Sequence, residues 1–261
     1  MGLNSIIMQI NNLNLNNPFS LEGKTVLVTG SSSNIGRKIA IRCAEMSAKI
    51  IVVARDEERM KATVADLAGE GHQYYAVDLS NAESIANLVE VLPVLDGVVL
   101  CAARFDSTPV KNIKRELVQD MFNTNTFANF DLIQKLLKKK EINNGGSIVF
   151  ISSVASMRPY KGNSLYSATK GAINSFSKVL ATELGAKQIR VNCVHPGIVR
   201  RDEGVREGAL TVEQQREEMA KFPLGMGETD DIAYASVYLL SDVSKWVTGI
   251  DLIVDGGQSL I

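Results

Sequence analysis

The feature that most constrains the fold is a strand, turn, helix and strand unit near the start of the chain. Residues 24–29 and 49–54 are runs of β-branched and apolar residues, which is typical of buried strands. Between them, residues 35–46 show the apolar spacing of a packed helix. A helix between two buried strands predicts a βαβ unit and therefore an α/β fold.

The turn that joins the first strand to this helix has the composition of an anion site. Residues 29–36 read Thr-Gly-Ser-Ser-Ser-Asn-Ile-Gly. Glycines permit a tight turn and the close approach of a ligand, while a helix N-terminus presents unpaired N–H groups and a positive dipole end. This arrangement suits the pyrophosphate of a dinucleotide, and the alternative is a capping loop without a ligand. The predicted contacts are Gly30, Ser32, Ser33, Asn34, Ile35 and Gly36.

A second stretch combines a strand with a helix that carries candidate catalytic groups. Residues 147–151 predict a buried strand that is followed by Ser153, and the apolar spacing predicts a helix over 164–185. Tyr166 and Lys170 lie four residues apart on that helix and share one face. A nearby ammonium favours the phenolate and lowers the pKa of a tyrosine from about 10, so that it can exchange a proton with an alcohol or ketone.

The spacing of Tyr166 and Lys170 does not identify a site by itself. Six Tyr, with 28 Lys plus Arg in 261 residues, give about 0.6 such pairs by chance. Taken alone, Tyr166 fits a packed helical tyrosine and Lys170 a solvated lysine. The combination with the glycine turn is what makes the pair informative.

The glycine turn, followed by a serine 13 residues before a Tyr-x-x-x-Lys motif, resembles the short-chain dehydrogenase/reductase family. The resemblance implies one Rossmann-type domain over 19–261, behind an N-terminal extension at 1–18. The implied fold is a doubly wound α/β sheet of seven mainly parallel strands in the order 3-2-1-4-5-6-7, with helices on both faces. Asn34 stands where the family has a glycine, and because asparagine tolerates positive φ we expect the turn to survive.

The resemblance also implies a role for each candidate catalytic residue. Tyr166 would act as the acid/base, Lys170 would activate it and bind the nicotinamide ribose, and Ser153 would orient the substrate oxygen. Asn125, at the centre of one long helix predicted over 116–140, would position a water that links Lys170 to bulk solvent. The alternative for Asn125 is a polar residue on a helix surface.

Further cofactor contacts follow from the resemblance. Asp78 and Leu79, after a strand predicted over 72–77, match the pair that binds adenine. Residues 100–103 stand where the family has Asn-Asn-Ala-Gly, so we expect backbone contact without the amide side chains. Residues 195–199 resemble the loop that clamps the nicotinamide through backbone groups near Ile198, and we interpret His195 as a loop residue. The remaining predicted contacts are Cys101, Ala102, Ala103, Tyr166, Lys170, Pro196, Gly197, Ile198 and Arg201.

Arg55 bears on which nicotinamide cofactor binds. It directly follows the second strand, and Ala54 occupies the place in which NAD-specific members carry an acidic residue. A guanidinium here can pair bidentately with a 2′-phosphate, so we expect NADP(H) to be favoured over NAD(H). The alternative is an ordinary solvated arginine at a strand end.

The implied reaction is reversible hydride transfer between the nicotinamide and a carbonyl or secondary alcohol. Fold and catalytic set do not select the substrate. Our leading hypothesis is a 3-oxoacyl thioester reductase, and the alternatives are a reductase of a sugar, a steroid or a small ketone. A non-catalytic nicotinamide-binding sensor or scaffold is the alternative from another class. Residues 200–225 stand where the family has its substrate-covering segment, with a helix predicted over 211–221.

Partners follow in the same way. The resemblance implies a homotetramer formed through the two long helices and the last strand. Lysines 138–140 suit the negative end of a helix dipole, and together with Lys187 they would also suit an acidic acyl carrier protein.

Composition argues against several other classes. A net charge of −1 gives no reason to expect a nucleic-acid partner or an anionic membrane surface, and no apolar run approaches the ~18 to 20 residues of a membrane span. The first residues do not resemble a secretory signal. Cys43, Cys101 and Cys193 fit reduced core residues, so we expect a cytoplasmic protein. With two histidines, His72 and His195, no metal site is predicted.

Overall fold

The computed structural model describes residues 17–158, 160–200 and 222–261, together with 213, 217 and 220. Its centre is a seven-stranded sheet in the order 3-2-1-4-5-6-7, in which every neighbouring pair is parallel. The predicted fold class and strand order are confirmed. The strands are β1 (Thr25–Thr29), β2 (Lys49–Ala54), β3 (Gln73–Ala76), β4 (Leu95–Leu100), β5 (Ile142–Ile151), β6 (Arg190–Pro196) and β7 (Asp251–Val254).

Helices cover both faces of this sheet. In the described residues they are α1 (Asn34–Glu45), α2 (Glu57–Ala65), α3 (Ala82–Val91), α4 (Arg115–Phe122), α5 (Ala128–Lys139), α6 (Ser164–Leu184) and α7 (Thr229–Leu240). No helix in the described ranges combines the length and the apolar character needed to cross a membrane.

Side chains along each strand alternate between the two faces of the sheet, so the hydrophobic core consists of two clusters. In β1, Leu27 points to one cluster, with Phe150 of β5, whereas Val26 and Val28 point to the other, with Val237 of α7. Successive side chains of a strand point to opposite faces, so a strand covered on both faces is a continuous apolar run. For this reason, runs of β-branched residues in the sequence predict the strands of this parallel sheet.

The prediction of one continuous helix over 116–140 is wrong in one respect. A π-helical turn at Asn123–Phe127 separates α4 from α5. The Nδ2 of Asn129 donates to the carbonyl of Asn125 at 2.7 Å, the acceptor that an α-helix would offer to the backbone N–H of residue 129. A side chain that bonds to this carbonyl displaces a backbone hydrogen bond and interrupts the α-helix. Such π turns are frequent at functional sites.

Several predictions fall on residues outside the described ranges. They are the N-terminal extension at 1–16, most of the helix predicted over 211–221, and Arg201. The strand that leads into the predicted nicotinamide loop spans Arg190–Pro196. His195 therefore lies in a buried strand, and its interpretation as a loop residue is wrong.

Candidate active site

The turn after β1 leaves no space for side chains at its two glycines. Gly30 has a φ of +67°, and a Cβ at this position would lie 2.7 Å from the Cα of Ala102. A Cβ on Gly36 would lie 2.3 Å from the carbonyl oxygen of Gly30. Both glycines therefore hold β1, the loop after β4 and the start of α1 in close contact, and the sequence reasoning had assigned Gly36 only to ligand approach.

Asn34 takes the conformation expected of it. Its φ is 48°, in the left-handed region that asparagine adopts more readily than most residues. In this described part of the chain Ser33 makes no side-chain capping bond, and the first turn of α1 carries no acidic residue. By contrast, Asp56 caps α2 and Asn81 caps α3. The first turn of α1 thus places no carboxylate of its own at the positive end of the helix dipole, which suits an anionic ligand.

Thr29 joins the ends of β1 and β4, a contact that no sequence pattern predicted. Its Oγ1 accepts from the backbone N–H of Cys101 at 3.0 Å and from that of Ala102 at 3.2 Å. These two N–H groups are therefore already bound, so a backbone contact between this loop and a cofactor would come from other groups. Burial raises the pKa of the Cys101 thiol to about 12, which keeps it neutral.

Arg55 and Asp78 lie at neighbouring strand ends, because Val77 N–H donates to the carbonyl of Ala54 at 2.7 Å. Both side chains are exposed. The Oδ1 of Asp78 accepts from the Oγ and N–H of Ser80, which lowers the pKa of Asp78, and the charge of Arg55 lowers it further. Leu79, by contrast, is packed in the core, so only its backbone faces this edge.

Lys170 is buried beside Tyr166. Its Nζ donates to the carbonyl of Ile151 at the end of β5, at 2.7 Å, and lies 5.7 Å from the centroid of the Tyr166 ring. Only 2% of Lys170 is exposed. Phe105, from the loop after β4, packs its ring edge to face on Tyr166 with the centroids 5.1 Å apart. The ammonium and the phenol are thus brought together at the carboxyl edge of the sheet.

The Asn125 side chain fastens the loop after β4 to the π turn. Its Oδ1 accepts from Arg104 N–H at 2.7 Å, and its Nδ2 donates to the Arg104 carbonyl at 2.8 Å and to Thr169 Oγ1 at 3.2 Å. Asn125 is fully buried, so it is not a polar residue on a helix surface. Its side chain is occupied by these bonds, whereas its carbonyl, which accepts one bond from Asn129 Nδ2, keeps a second lone pair that could hold a water.

Ser153 lies two residues after the end of β5, and contacts of its backbone fix its position. Its Oγ accepts from Ala155 N–H at 3.1 Å and keeps a proton to donate. Its carbonyl accepts from Ser156 Oγ at 2.7 Å and lies 3.1 Å from the Nδ1 of His195. Asn174 of α6 in turn donates to Ser156 Oγ at 2.9 Å. Buried polar groups from α6 and β6 therefore surround the backbone of Ser153.

His195 links Ser153 to a charged pair near the surface. Its Nε2 lies 3.1 Å from Asp251 Oδ1, and the other oxygen of Asp251 pairs with Lys178 at 2.7 Å. Cys193 brings its sulfur into the same group, within 4.8 Å of the ligand atoms of His195 and Asp251. Burial raises the pKa of Cys193 to about 12, so the thiol stays protonated. This chemistry fits a polar network better than a metal site.

The segment predicted to clamp the nicotinamide is packed against the end of the chain. A Cβ on Gly197 would lie 2.7 Å from both the Cβ of Asp255 and the Oε1 of Gln258. The N–H of Ile198 already donates to that Oε1 at 2.9 Å. Gly197 is therefore needed for contact with protein, and Gln258 is a residue of this region that the sequence reasoning missed.

Comparison with known proteins supplies the family. The family profile described as "Enoyl-(Acyl carrier protein) reductase" matches residues 30–259. A solved structure described as "short chain dehydrogenase/reductase family protein" superposes with a TM-score of 0.81 at 32% identity, over 93% of this chain and 100% of that one. The chain belongs to the short-chain dehydrogenase/reductase family. It is therefore an oxidoreductase that acts on CH–OH or C=O groups.

Other members of the short-chain dehydrogenase/reductase family resemble the chain over most of its length. The 3-oxoacyl-[acyl-carrier-protein] reductase FabG of Rickettsia bellii is 32% identical, over 92% of this chain and 99% of that protein. The D-erythrulose reductase of Gallus gallus is also 32% identical, over 91% of this chain and 96% of that protein. Equal likeness to an acyl and a sugar reductase means that identity does not select the substrate.

Proposed function

We propose that the protein catalyses reversible hydride transfer between NADP(H) and a carbonyl or secondary alcohol, with a 3-oxoacyl thioester as the substrate. The observation that carries the proposal is the buried Lys170 ammonium, held by the Ile151 carbonyl 5.7 Å from the centroid of the Tyr166 ring. A buried cation beside a phenol suits a proton relay. A protein that only binds nicotinamide does not need this arrangement.

Each catalytic residue has a defined task in this proposal. Tyr166 donates its proton to the substrate oxygen during reduction and takes it back during oxidation. Lys170 stabilises the phenolate, and Ser153 donates a hydrogen bond to the same substrate oxygen. The carbonyl of Asn125 holds the water through which the proton is replaced. The bound nicotinamide would supply or accept the hydride.

The turn after β1 fits the dinucleotide that the reaction needs. Its glycines bring the chain close to the loop after β4, and the N-terminus of α1 is the place for the pyrophosphate. Arg55 supports NADP(H), because its exposed guanidinium can pair with a 2′-phosphate. Removing that charge in Arg55→Ala should weaken NADPH binding about tenfold or more and leave NADH binding unchanged. Equal binding of NADPH and NADH by the parent protein would refute the preference for NADP(H).

A basic groove supports a carrier-linked acyl substrate. It has a volume of about 520 Å³, and Lys140, at the end of α5, and Lys187, after α6, both line it. Lys187 lies 21 residues beyond Tyr166, so the groove is about 30 Å from the phenol of its own subunit. An acyl carrier protein that docks here would contact the two lysines with its acidic surface, because the groove is too far from the phenol to hold the acyl group itself.

The proposed assembly is a homotetramer. Apolar side chains are exposed around the edge strand β7, where Trp246 is 96% and Ile253 45% exposed, and on the helix layer, where Val179 of α6 is 60% exposed. Such patches mark interaction surfaces, and an uncovered edge strand invites pairing. Sedimentation velocity of the purified protein tests this, because a monomer at micromolar concentration would contradict it.

The decisive experiment follows NADPH absorbance with acetoacetyl thioesters of coenzyme A and of acyl carrier protein, erythrulose, a steroid ketone and a small ketone. We expect turnover to be fastest with a 3-oxoacyl thioester. Tyr166→Phe should lower kcat by at least about 100-fold while NADPH binding is retained. Tyr234→Phe, at an exposed tyrosine of α7 with no assigned role, serves as the control for phenol loss. Unchanged turnover in Tyr166→Phe would refute the mechanism.

The second candidate is a sensor or scaffold that binds nicotinamide without turnover. The observation in its favour is the loop after β4, where the N–H groups of Cys101 and Ala102 donate to Thr29. In addition, Leu100 and Cys101 stand where the family has two asparagines. Tight NADPH binding with no oxidation across the whole substrate panel, at pH values from 6 to 9, would favour this candidate.

A further inference from the structure

The chain ends in a turn whose key residue is buried. After β7, the residues of this C-terminal turn lead into a 3-10 turn at Gln258–Leu260. Gln258 is only 1% exposed, whereas Leu260, two residues later, is 84% exposed. A buried glutamine this close to a chain end is unusual, because termini are usually poorly fixed unless specific contacts hold them.

Gln258 bonds to two separate loops at once. Its Oε1 accepts from Ile198 N–H at 2.9 Å, and its Nε2 donates to Tyr160 OH at 2.8 Å. Its backbone carbonyl accepts from the Nη1 of Arg158, which also donates to Tyr160 OH. Ile198 follows β6, whereas Arg158 and Tyr160 lie between Ser153 and Tyr166. One side chain therefore bridges the loops on the two sides of the proposed site.

The same turn also contacts the segment that returns from residues 201–221. Leu224 N–H donates to the carbonyl of Gly256 at 3.0 Å, and a Cβ on Gly257 would lie 2.8 Å from Pro223 Cγ. The turn is itself rigid, because the carboxylate of Asp255 accepts from Gly257 N–H at 2.9 Å and from Ser259 N–H at 2.7 Å. A turn that contacts three connections in this way can set their relative positions.

We propose that Gln258 is a positioning residue for the active site. Through it, the C-terminal turn holds the Ile198 loop and the loop of Arg158 and Tyr160 at a fixed separation. This inference rests on the proposed function for its catalytic consequence. Its structural consequence stands alone: without the Gln258 amide, Ile198 N–H and Tyr160 OH both lose a buried partner, so the two loops should loosen together.

Two substitutions separate hydrogen bonding from packing. Gln258→Met keeps the length and volume of the side chain but cannot bond to either loop. Gln258→Glu keeps an acceptor for Ile198 N–H, and its second oxygen can accept from the hydroxyl of Tyr160, while Arg158 supplies a counter-charge. The conservative variant should therefore rescue what the methionine variant loses. Gln119→Met, the same change on an exposed face of α4, is the matched control.

Hydrogen exchange of the cofactor-free protein, read by mass spectrometry, provides the first measurement. In Gln258→Met, peptides that contain Ile198 and residues 156–163 should exchange about tenfold faster, while β5 and β6 keep their protection. Gln258→Glu and Gln119→Met should match the parent. Exchange that is faster only at residues 255–261, or faster throughout the sheet, would overturn the proposal, since neither outcome shows a bridge between the two loops.

Turnover provides the second measurement. Where the parent oxidises NADPH, Gln258→Met should lower kcat/KM about tenfold at a temperature well below its Tm, and Gln258→Glu should recover most of it. Looser loops with unchanged kcat/KM would overturn the positioning role. A parent without turnover on any substrate would instead count against the proposed function, and hydrogen exchange would still decide whether Gln258 couples the loops.

Discussion

Replacement of Thr29 by valine tests whether one hydroxyl group holds the end of β1 against the loop after β4. Thr29 is fully buried, and its Oγ1 accepts from the N–H groups of Cys101 and Ala102. Valine has nearly the same shape, so the change removes the acceptor without opening a cavity. Two N–H groups then lose their partner at about 1–3 kcal/mol each, and the added methyl returns about 0.8 kcal/mol.

The net loss in the free energy of unfolding should therefore be about 1–5 kcal/mol, and each kcal/mol lowers the Tm of a chain of this length by about 2–4 °C. Urea unfolding and thermal melting at fixed protein concentration measure it. Thr25→Val, at the half-buried start of the same strand, is the matched control and should cost less than about 1 kcal/mol. Equal stability of the two variants would refute the role assigned to Thr29.

Three further predictions concern single residues. Asn34→Ala should destabilise the protein by about 1–2 kcal/mol because alanine resists a φ of 48°, whereas Asn34→Gly should be close to neutral; equal urea midpoints would contradict this. Folding raises the pKa of Cys43 to about 12, so above pH ~8.5 the unfolded chain loses a proton that the folded chain keeps. Stability should therefore fall as pH rises from about 9 to 12, and less steeply in Cys43→Ala; parallel curves from urea unfolding at each pH would be evidence against it. His195→Asn, which shortens the link between Ser153 and Asp251, should lower kcat with little change in NADPH affinity, and an unchanged kcat would exclude a role in placing Ser153.

The fold was predictable because its signals are local. Runs of β-branched residues identify strands that are buried on both faces, and the apolar spacing of α1 and α6 identifies helices that pack on them. The positive φ of Asn34 was also predictable, since it follows from residue type within one turn. Each of these properties depends on neighbours in sequence, so periodicity is enough to reveal it.

The contacts that position the site were not predictable, because their partners are far apart in sequence. Thr29 meets a loop 72 residues later, and Gln258 meets Tyr160 across 98 residues. The side chain of Asn129 interrupts the long helix, and the spacing of apolar residues does not predict this interruption. His195 was assigned to a loop because Pro196 and Gly197 follow it, yet parallel pairing with β7 extends the strand through Pro196.

The contacts of Gln258 also separate assembly of the sheet from placement of the loops. The sheet has all seven strands by Val254, so a variant truncated after Val254 still contains every strand. Such a variant lacks the side chain that we propose to hold the two loops together. The sheet could then form while the loops stay unjoined, and residues 255–260 would be needed only for the second step.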